Sequence, residues 1–288
     1  MFTRVIHAGV GALLGVGLLF PGSAPAAPPP EIPARAPLAA PAVDGRRFLL
    51  RDPHGDGYAI EVVGDLAGAD RIVVLVPGMA NTLATFDRGL GGVARRAPAV
   101  QARTVLAEMH ATDPAARVAV VAWLGYDPPD VLGLEAAQED RARVGAVALI
   151  HFVAWVAAER PAASITLVSH SYGAVVVGLA AAKLDRRVTD LVALGAPGMG
   201  AHRARDLHTA ARVWAAEAPT DWIHRIPGVR LFGLGHGTRP GTPGFGAHLL
   251  PTAGVAGHDA YLVPGSSTLR SVALVALGRV DEAMGDYC

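Results

Sequence analysis

An α/β fold on a mainly parallel central sheet, with helices on both faces, is predicted by three features of the 288-residue sequence. From Arg71 onward, short runs rich in β-branched residues alternate with helix-length segments, the pattern of strand–helix–strand units. Those runs are mainly apolar rather than strictly alternating, 71–76 most clearly, as suits strands covered on both sides. The glycine- and proline-bearing loops follow the strands, at the carboxyl edge where open sheets of this kind bind ligands.

Residues 47–51 and 58–64 read as two strands around Asp52-Pro53-His54-Gly55-Asp56-Gly57, a hairpin by its turn residues. Residues 71–76 run unbroken into Pro77-Gly78 and suit a buried parallel strand. Residues 98–109 follow as a helix whose proline falls in the first turn. A buried strand over 117–123 and a helix over 144–158, apolar nearly all round, come next. Strand 164–169, helix 173–183 and strands 188–194, 212–216 and 229–233 complete the alternation before a last helix over 267–284.

Before this fold the chain carries Arg4, then an apolar stretch from Ala8 to Phe20, then Ala24-x-Ala26. The stretch is shorter than the roughly 20 residues of a membrane-spanning helix, and small residues two apart suit signal peptidase. Residues 1–26 are therefore expected to be a signal peptide cleaved after Ala26, with a membrane anchor as the competing reading. Residues 27–44 form a Pro/Ala-rich linker without a periodic apolar face, and 45–288 one domain. A secreted or cell-envelope location follows, with membrane contact only if the leading segment is retained. Cys288 is the sole cysteine, so no intrachain disulfide can form and the core must hold the fold. Lys plus Arg equals Asp plus Glu at 25 each, which gives no basic surface for a nucleic acid.

The run Ile165 to Val177, ITLVSHSYGAVVV, places a β-branched strand, a tight turn and a small-residue helix in succession. A serine at the tip of such a turn projects its hydroxyl above the sheet as a nucleophile elbow. The usual pattern is G-x-S-x-G, and here Ser169 replaces the first glycine. Ser171 is the candidate nucleophile. A serine hydroxyl needs an imidazole to take its proton and a carboxylate to orient that imidazole. On this kind of sheet the acid and then the histidine follow the serine. Asp221 follows the strand 212–216 and the turn Pro219-Thr220, although the same residue could simply cap the turn before Trp222. Asp190 starts its strand and belongs at the wrong edge. His258, in a glycine-bearing loop before the last helix, is the candidate base, with His236 and His248 as rivals. His170, beside the serine, is expected to point away from it and to pack or be solvated. The Tyr172 N–H and an amide at Gly78-Met79, that of Met79, are expected to hold an oxyanion.

Five segments in this order, Val76-Pro77-Gly78-Met79-Ala80-Asn81-Thr82, Trp123-Leu124-Gly125-Tyr126-Asp127-Pro128-Pro129, Ser169-His170-Ser171-Tyr172-Gly173, Gly195-Ala196-Pro197-Gly198 and Gly257-His258-x-x-Tyr261, resemble an actinobacterial family of α/β-hydrolases long filed as a domain of unknown function. The likeness covers roughly residues 45–285. It implies the α/β-hydrolase fold with Ser171, Asp221 and His258 as nucleophile, acid and base, and with Tyr126 and Asp127 lining the substrate pocket.

The function expected is a secreted serine hydrolase that cleaves carboxylic esters through an acyl-enzyme, needing no metal and no organic cofactor. Its partner would be a small-molecule or lipid-like ester, because Met79, Trp123, Tyr126, Met199, Trp222 and Leu249-Leu250 are apolar residues in or beside the site-facing loops. Amide cleavage and acyl transfer use the same machinery. An exported binding protein with an idle site on this fold is the reading from a different class.

Overall fold

The computed structural model describes residues 45–231 and 234–285. The expected signal peptide, the linker and Cys288 lie outside the described residues. Eight strands form one sheet in the order β1-β2-β4-β3-β5-β6-β7-β8. These are β1 Arg47–Asp52, β2 Tyr58–Gly64, β3 Arg71–Val76, β4 Val118–Leu124, β5 Ser164–His170, β6 Val188–Leu194, β7 Arg212–Ala216 and β8 His248–Leu249. β2 runs antiparallel to both its neighbours, β1 and β4, while all pairs from β4 to β8 are parallel.

Successive residues of a strand face opposite sides, and here each side meets its own helices. From β3 and β4, Ile72, Val74, Val76, Val121 and Trp123 enter one core together with Leu149, Phe152, Val153 and Val176. Those four come from α3 (Asp140–Glu159) and α4 (Gly173–Ala180), which follow α1 (Pro98–Thr112) and the single turn α2 (Leu134–Ala137) in the chain. Val73, Leu75, Val120, Ala122 and Leu124 enter the second core with Val105 and Met109 of α1 and Leu269, Val272 and Val275 of α5 (Ser267–Ala276). At about 2 kcal/mol for each large side chain buried, two such cores hold the chain without a disulfide.

Three expectations are corrected. The final helix is two, α5 and α6 (Val280–Gly285), separated by a turn at Leu277-Gly278. The helix expected from Val144 begins at Asp140, one turn earlier. The apolar run expected as a strand over 229–233 is not one in its described part, where Leu231 makes only an isolated bridge to Leu234. Its side chains, 56% exposed at Val229 and 62% at Leu231, are turned to a cavity rather than to the sheet. The eighth strand is instead the two-residue β8, paired with Trp214 and Ala215 of β7.

Candidate active site

With β3 to β8 parallel, the loops after them gather on one edge. Ser171, first residue beyond β5, has φ of 53°. A side-chain-bearing residue is strained in that left-handed region, and strain of this kind needs a surrounding structure that enforces it. Enforcement is visible on three sides. Ser171 N donates to Leu194 O of β6 at 2.9 Å. A methyl group added at Gly173 would lie 2.5 Å from Val76 O, and one at Gly78 would lie 2.8 Å from Ser171 Cβ. No side chain fits between the elbow and the loop after β3. Ser169, which replaces the usual glycine, is fully buried and donates its hydroxyl to Val192 O at 2.9 Å, so the departure is accommodated inside the sheet.

Ser171 Oγ lies 2.9 Å from His258 Nε2, and His258 Nδ1 lies 2.8 and 2.9 Å from the two oxygens of Asp221. The three residues named from chain order are brought together. A carboxylate only accepts, so Nδ1 carries the imidazole proton and Nε2 is left as the acceptor for the serine hydroxyl. Asp221 is fully buried, which by itself would raise its pKa. Hydrogen bonds from His258, from Tyr261 OH at 2.6 Å and from Ile223 N at 2.8 Å outweigh burial and hold it below the usual carboxylate range. The bond from Ile223 is also the cap of the short helix Trp222–Arg225, so the capping and the imidazole-orienting readings of Asp221 are both realised in one side chain. Tyr261 OH accepts from Ala218 N at 2.9 Å and is thereby aimed at the acid.

His170 does not point away, which corrects the expectation from the sequence. Its Nε2 donates to His258 O at 2.7 Å, and its ring lies 4.6 Å from the His258 ring. Burial, then the neighbouring His258, push its pKa down to about 4, so the ring is neutral and serves as a fixed donor. Trp222 covers the imidazole at 4.5 Å between ring centroids.

Tyr172 turns its side chain away from the serine, donating its hydroxyl to Gln138 O at 2.8 Å. That leaves its backbone N–H at the site. Met79 and Tyr172 both line a cavity with Ser171, and among the described residues neither N–H donates a backbone hydrogen bond. Two unengaged donors beside a hydroxyl can receive a negatively charged oxygen.

Tyr126 and Asp127 do not line the pocket. Tyr126 is 1% exposed, stacked on Trp123 at 6.0 Å, and donates its hydroxyl to Pro77 O at 2.7 Å. Asp127 is paired with Arg141. Ala80 N donates to Pro129 O at 2.8 Å, so this segment lies beneath the loop after β3 and supports it from below. Nor do Trp123 and Met199 reach the site, both being core residues, and Leu250 is buried in the second core. Neither rival histidine is hydrogen-bonded to Ser171: His236, in the wall of the cavity beside it, donates from Nε2 to Ala136 O at 2.7 Å, and His248 packs on Trp214.

The cavity beside Ser171, about 520 Å³, is walled by Ala136 and Ala137 of α2 on one side and by Trp222, Ile223, Ile226, Leu231 and Leu234 on the other. Gly235 N donates to Ala137 O at 2.8 Å and joins these walls. Of the lining, sequence reasoning named Met79 and Trp222 and missed the rest of the apolar wall. The signal was the spacing of Ile223, Ile226, Val229 and Leu231, apolar residues at intervals that no buried strand or helix absorbs.

A sheet of this order, with a strained serine between its central strand and a helix, defines the α/β-hydrolase class. A family model described as "Alpha/beta hydrolase" matches residues 52–231, and the chain belongs to that family. An uncharacterised protein of Mycobacterium tuberculosis (strain H37Rv) is 32% identical over 260 residues, spanning 81% of this chain and 39% of its own length. One of Mycobacterium bovis is 33% identical over 161 residues, 54% of this chain and 58% of its own length. The chain thus corresponds to two fifths to three fifths of these relatives. Among solved structures, esterase PE8 aligns with 76% of this chain and 97% of its own at 16% identity and a TM-score of 0.48. The dienelactone hydrolase of Anabaena variabilis aligns with 84% and 98% at 16% identity and 0.47.

Proposed function

We propose that this hydrolase is an exported serine esterase, in which Ser171, His258 and Asp221 act as a triad on carboxylic esters. The observation that carries the reading is the hydrogen-bond relay from Ser171 Oγ through both His258 nitrogens to Asp221. His258 Nε2 takes the hydroxyl proton as Oγ attacks the ester carbonyl, and the Met79 and Tyr172 amides hold the oxyanion. Collapse of the tetrahedral intermediate breaks the bond to the leaving oxygen, which receives that proton from His258 and departs as the alcohol. Water gives a proton to the same nitrogen as it attacks the acyl-serine, and collapse returns that proton to Ser171 Oγ and frees the acid. The exported location rests on the leading segment from Arg4 to Ala26.

The test is labelling by a fluorophosphonate probe together with hydrolysis of p-nitrophenyl butyrate. Wild type is expected to label at Ser171 and turn over the ester, while Ser171→Ala loses labelling and at least about 10⁴-fold in kcat. Undiminished labelling of Ser171→Ala removes the assignment.

A further inference from the structure

Two recesses with mainly apolar walls open on Ser171, and only the second carries charged and amide side chains. The first, of about 520 Å³, is walled by Leu132, Ala137, Ile223, Ile226, Leu231 and Leu234 and contains no charged side chain. Exposed apolar side chains ring its mouth, with Leu132 at 63% and Leu231 at 62%. The second, about 390 Å³, holds Asn81, Arg96, Gln101, Asp130 and Asp259, with Leu90 and Val131 on its rim. Arg96 Nε donates to Asp259 at 2.6 Å and so presents a paired rather than a free charge there. Ser171, Met79, Leu132 and Trp222 border both recesses.

What tells the two apart chemically is the position of the imidazole. His258 borders only the polar recess, and Tyr172 only the apolar one. In acyl transfer the leaving oxygen takes its proton from that imidazole, so the alcohol half of an ester must lie on the His258 side. The carbonyl oxygen faces the Tyr172 amide, and the acyl chain continues beyond it. Resting on the esterase reading above, we infer that the substrates are esters of an apolar acyl group with a polar, hydroxyl-bearing alcohol, the acyl chain filling the cavity of Ile223, Ile226 and Leu231 and the alcohol lying against Asn81, Gln101 and Arg96. The opposite assignment would place uncharged hydrocarbon against an ion pair and leave hydroxyl groups without partners in a cavity lined almost wholly by apolar side chains.

The decisive comparison is between two isomers, 2-hydroxyethyl octanoate and octyl glycolate, which exchange apolar and polar halves across one ester bond. With kcat/KM divided by each ester's hydroxide-catalysed rate, the octanoate is expected to be favoured by about tenfold or more. In Ile226→Trp, which fills the cavity, the ratio of kcat/KM for the octanoyl to the acetyl p-nitrophenyl ester is expected to fall about tenfold. Equal or better turnover of octyl glycolate, with Ser171 still labelled by the fluorophosphonate, overturns the orientation and leaves the esterase reading standing. An unchanged chain-length ratio in folded Ile226→Trp does the same. If wild-type Ser171 takes no label, the esterase reading itself falls and this inference with it. The isomer comparison needs only the unaltered chain, so it decides even if the tryptophan variant does not fold.

Discussion

Asp190 and Asp221 are both buried carboxylates, 1% and 0% exposed, attached to neighbouring strands, yet they hold different kinds of partner. Asp190 lies near the amino end of β6, where Arg212 Nε and Nη2 and Trp214 Nε1 donate to it at 2.7 to 2.8 Å. Its charge is matched by a guanidinium that never gives up its proton. Asp221 lies past the carboxyl end of β7 and is met by a phenol, a backbone amide and an imidazole. None of these carries a permanent charge, so the carboxylate can answer a positive charge that arises on His258 during a reaction. A buried acid becomes available for chemistry when its partner titrates, and becomes a clamp when it does not.

The sharpest way to break this contrast is to neutralise each acid. Asp221→Asn is expected to lower kcat on p-nitrophenyl butyrate by about 10⁴-fold, since an amide stabilises neither the imidazolium nor the reactive tautomer. Next comes Gly195→Ala, in the loop after β6, where φ is 55° and an added methyl would lie 2.7 Å from Asp221 Oδ2 and 3.2 Å from His258 Nδ1. Displacing that pair by part of an ångström is expected to cost about 10²-fold in kcat, with the fraction labelled by a fluorophosphonate falling in parallel. Asp190→Asn is expected to leave kcat per labelled site unaltered and to lower stability to urea by about 2 kcal/mol. Breaking a buried pair costs about 3–5 kcal/mol, discounted here because the Arg212 side chain is 41% exposed and stays partly solvated. Loss of activity in Asp190→Asn at full labelling would erase the distinction between the two acids.

The same contrast separates what could be read from the sequence. Strands β3, β5 and β6 were legible because burial on both faces makes each run mainly apolar and β-branched, and β8 was not, because two residues carry no period and exist as a strand only through β7. Ser171, Asp221 and His258 were nameable because chain order constrains them. The cavity wall was not. Val229 and Leu231 are apolar without being in the core, and a one-dimensional pattern cannot distinguish a side chain facing a sheet from one facing an empty recess. Tyr126 failed in the converse way: a tyrosine after a strand looks like a pocket residue until its hydroxyl is found on Pro77 O, under the loop rather than above it.

Among the residues at the site, His170 gives the smallest effect on activity, and it separates support from chemistry there. Its ring touches no reacting atom and acts through the His258 carbonyl it holds. Glutamine keeps an N–H donor of similar reach and cannot titrate, so His170→Gln is expected to lower kcat only about threefold, by the loss of some of one hydrogen bond. The telling readout is stability against pH. In the folded chain the ring takes a proton only near pH 4, whereas an unfolded histidine takes one near 6.5. Between those values the unfolded chain binds more protons, so the folded state loses stability as pH falls from 6.5 towards 4. Removing the titrating group is expected to flatten the slope of Tm against pH over that interval, measured alongside wild type in the same buffers. An unaltered slope would mean that His170 takes its proton at the same pH folded and unfolded, so that burial does not hold the ring neutral as the pH falls below 6.5.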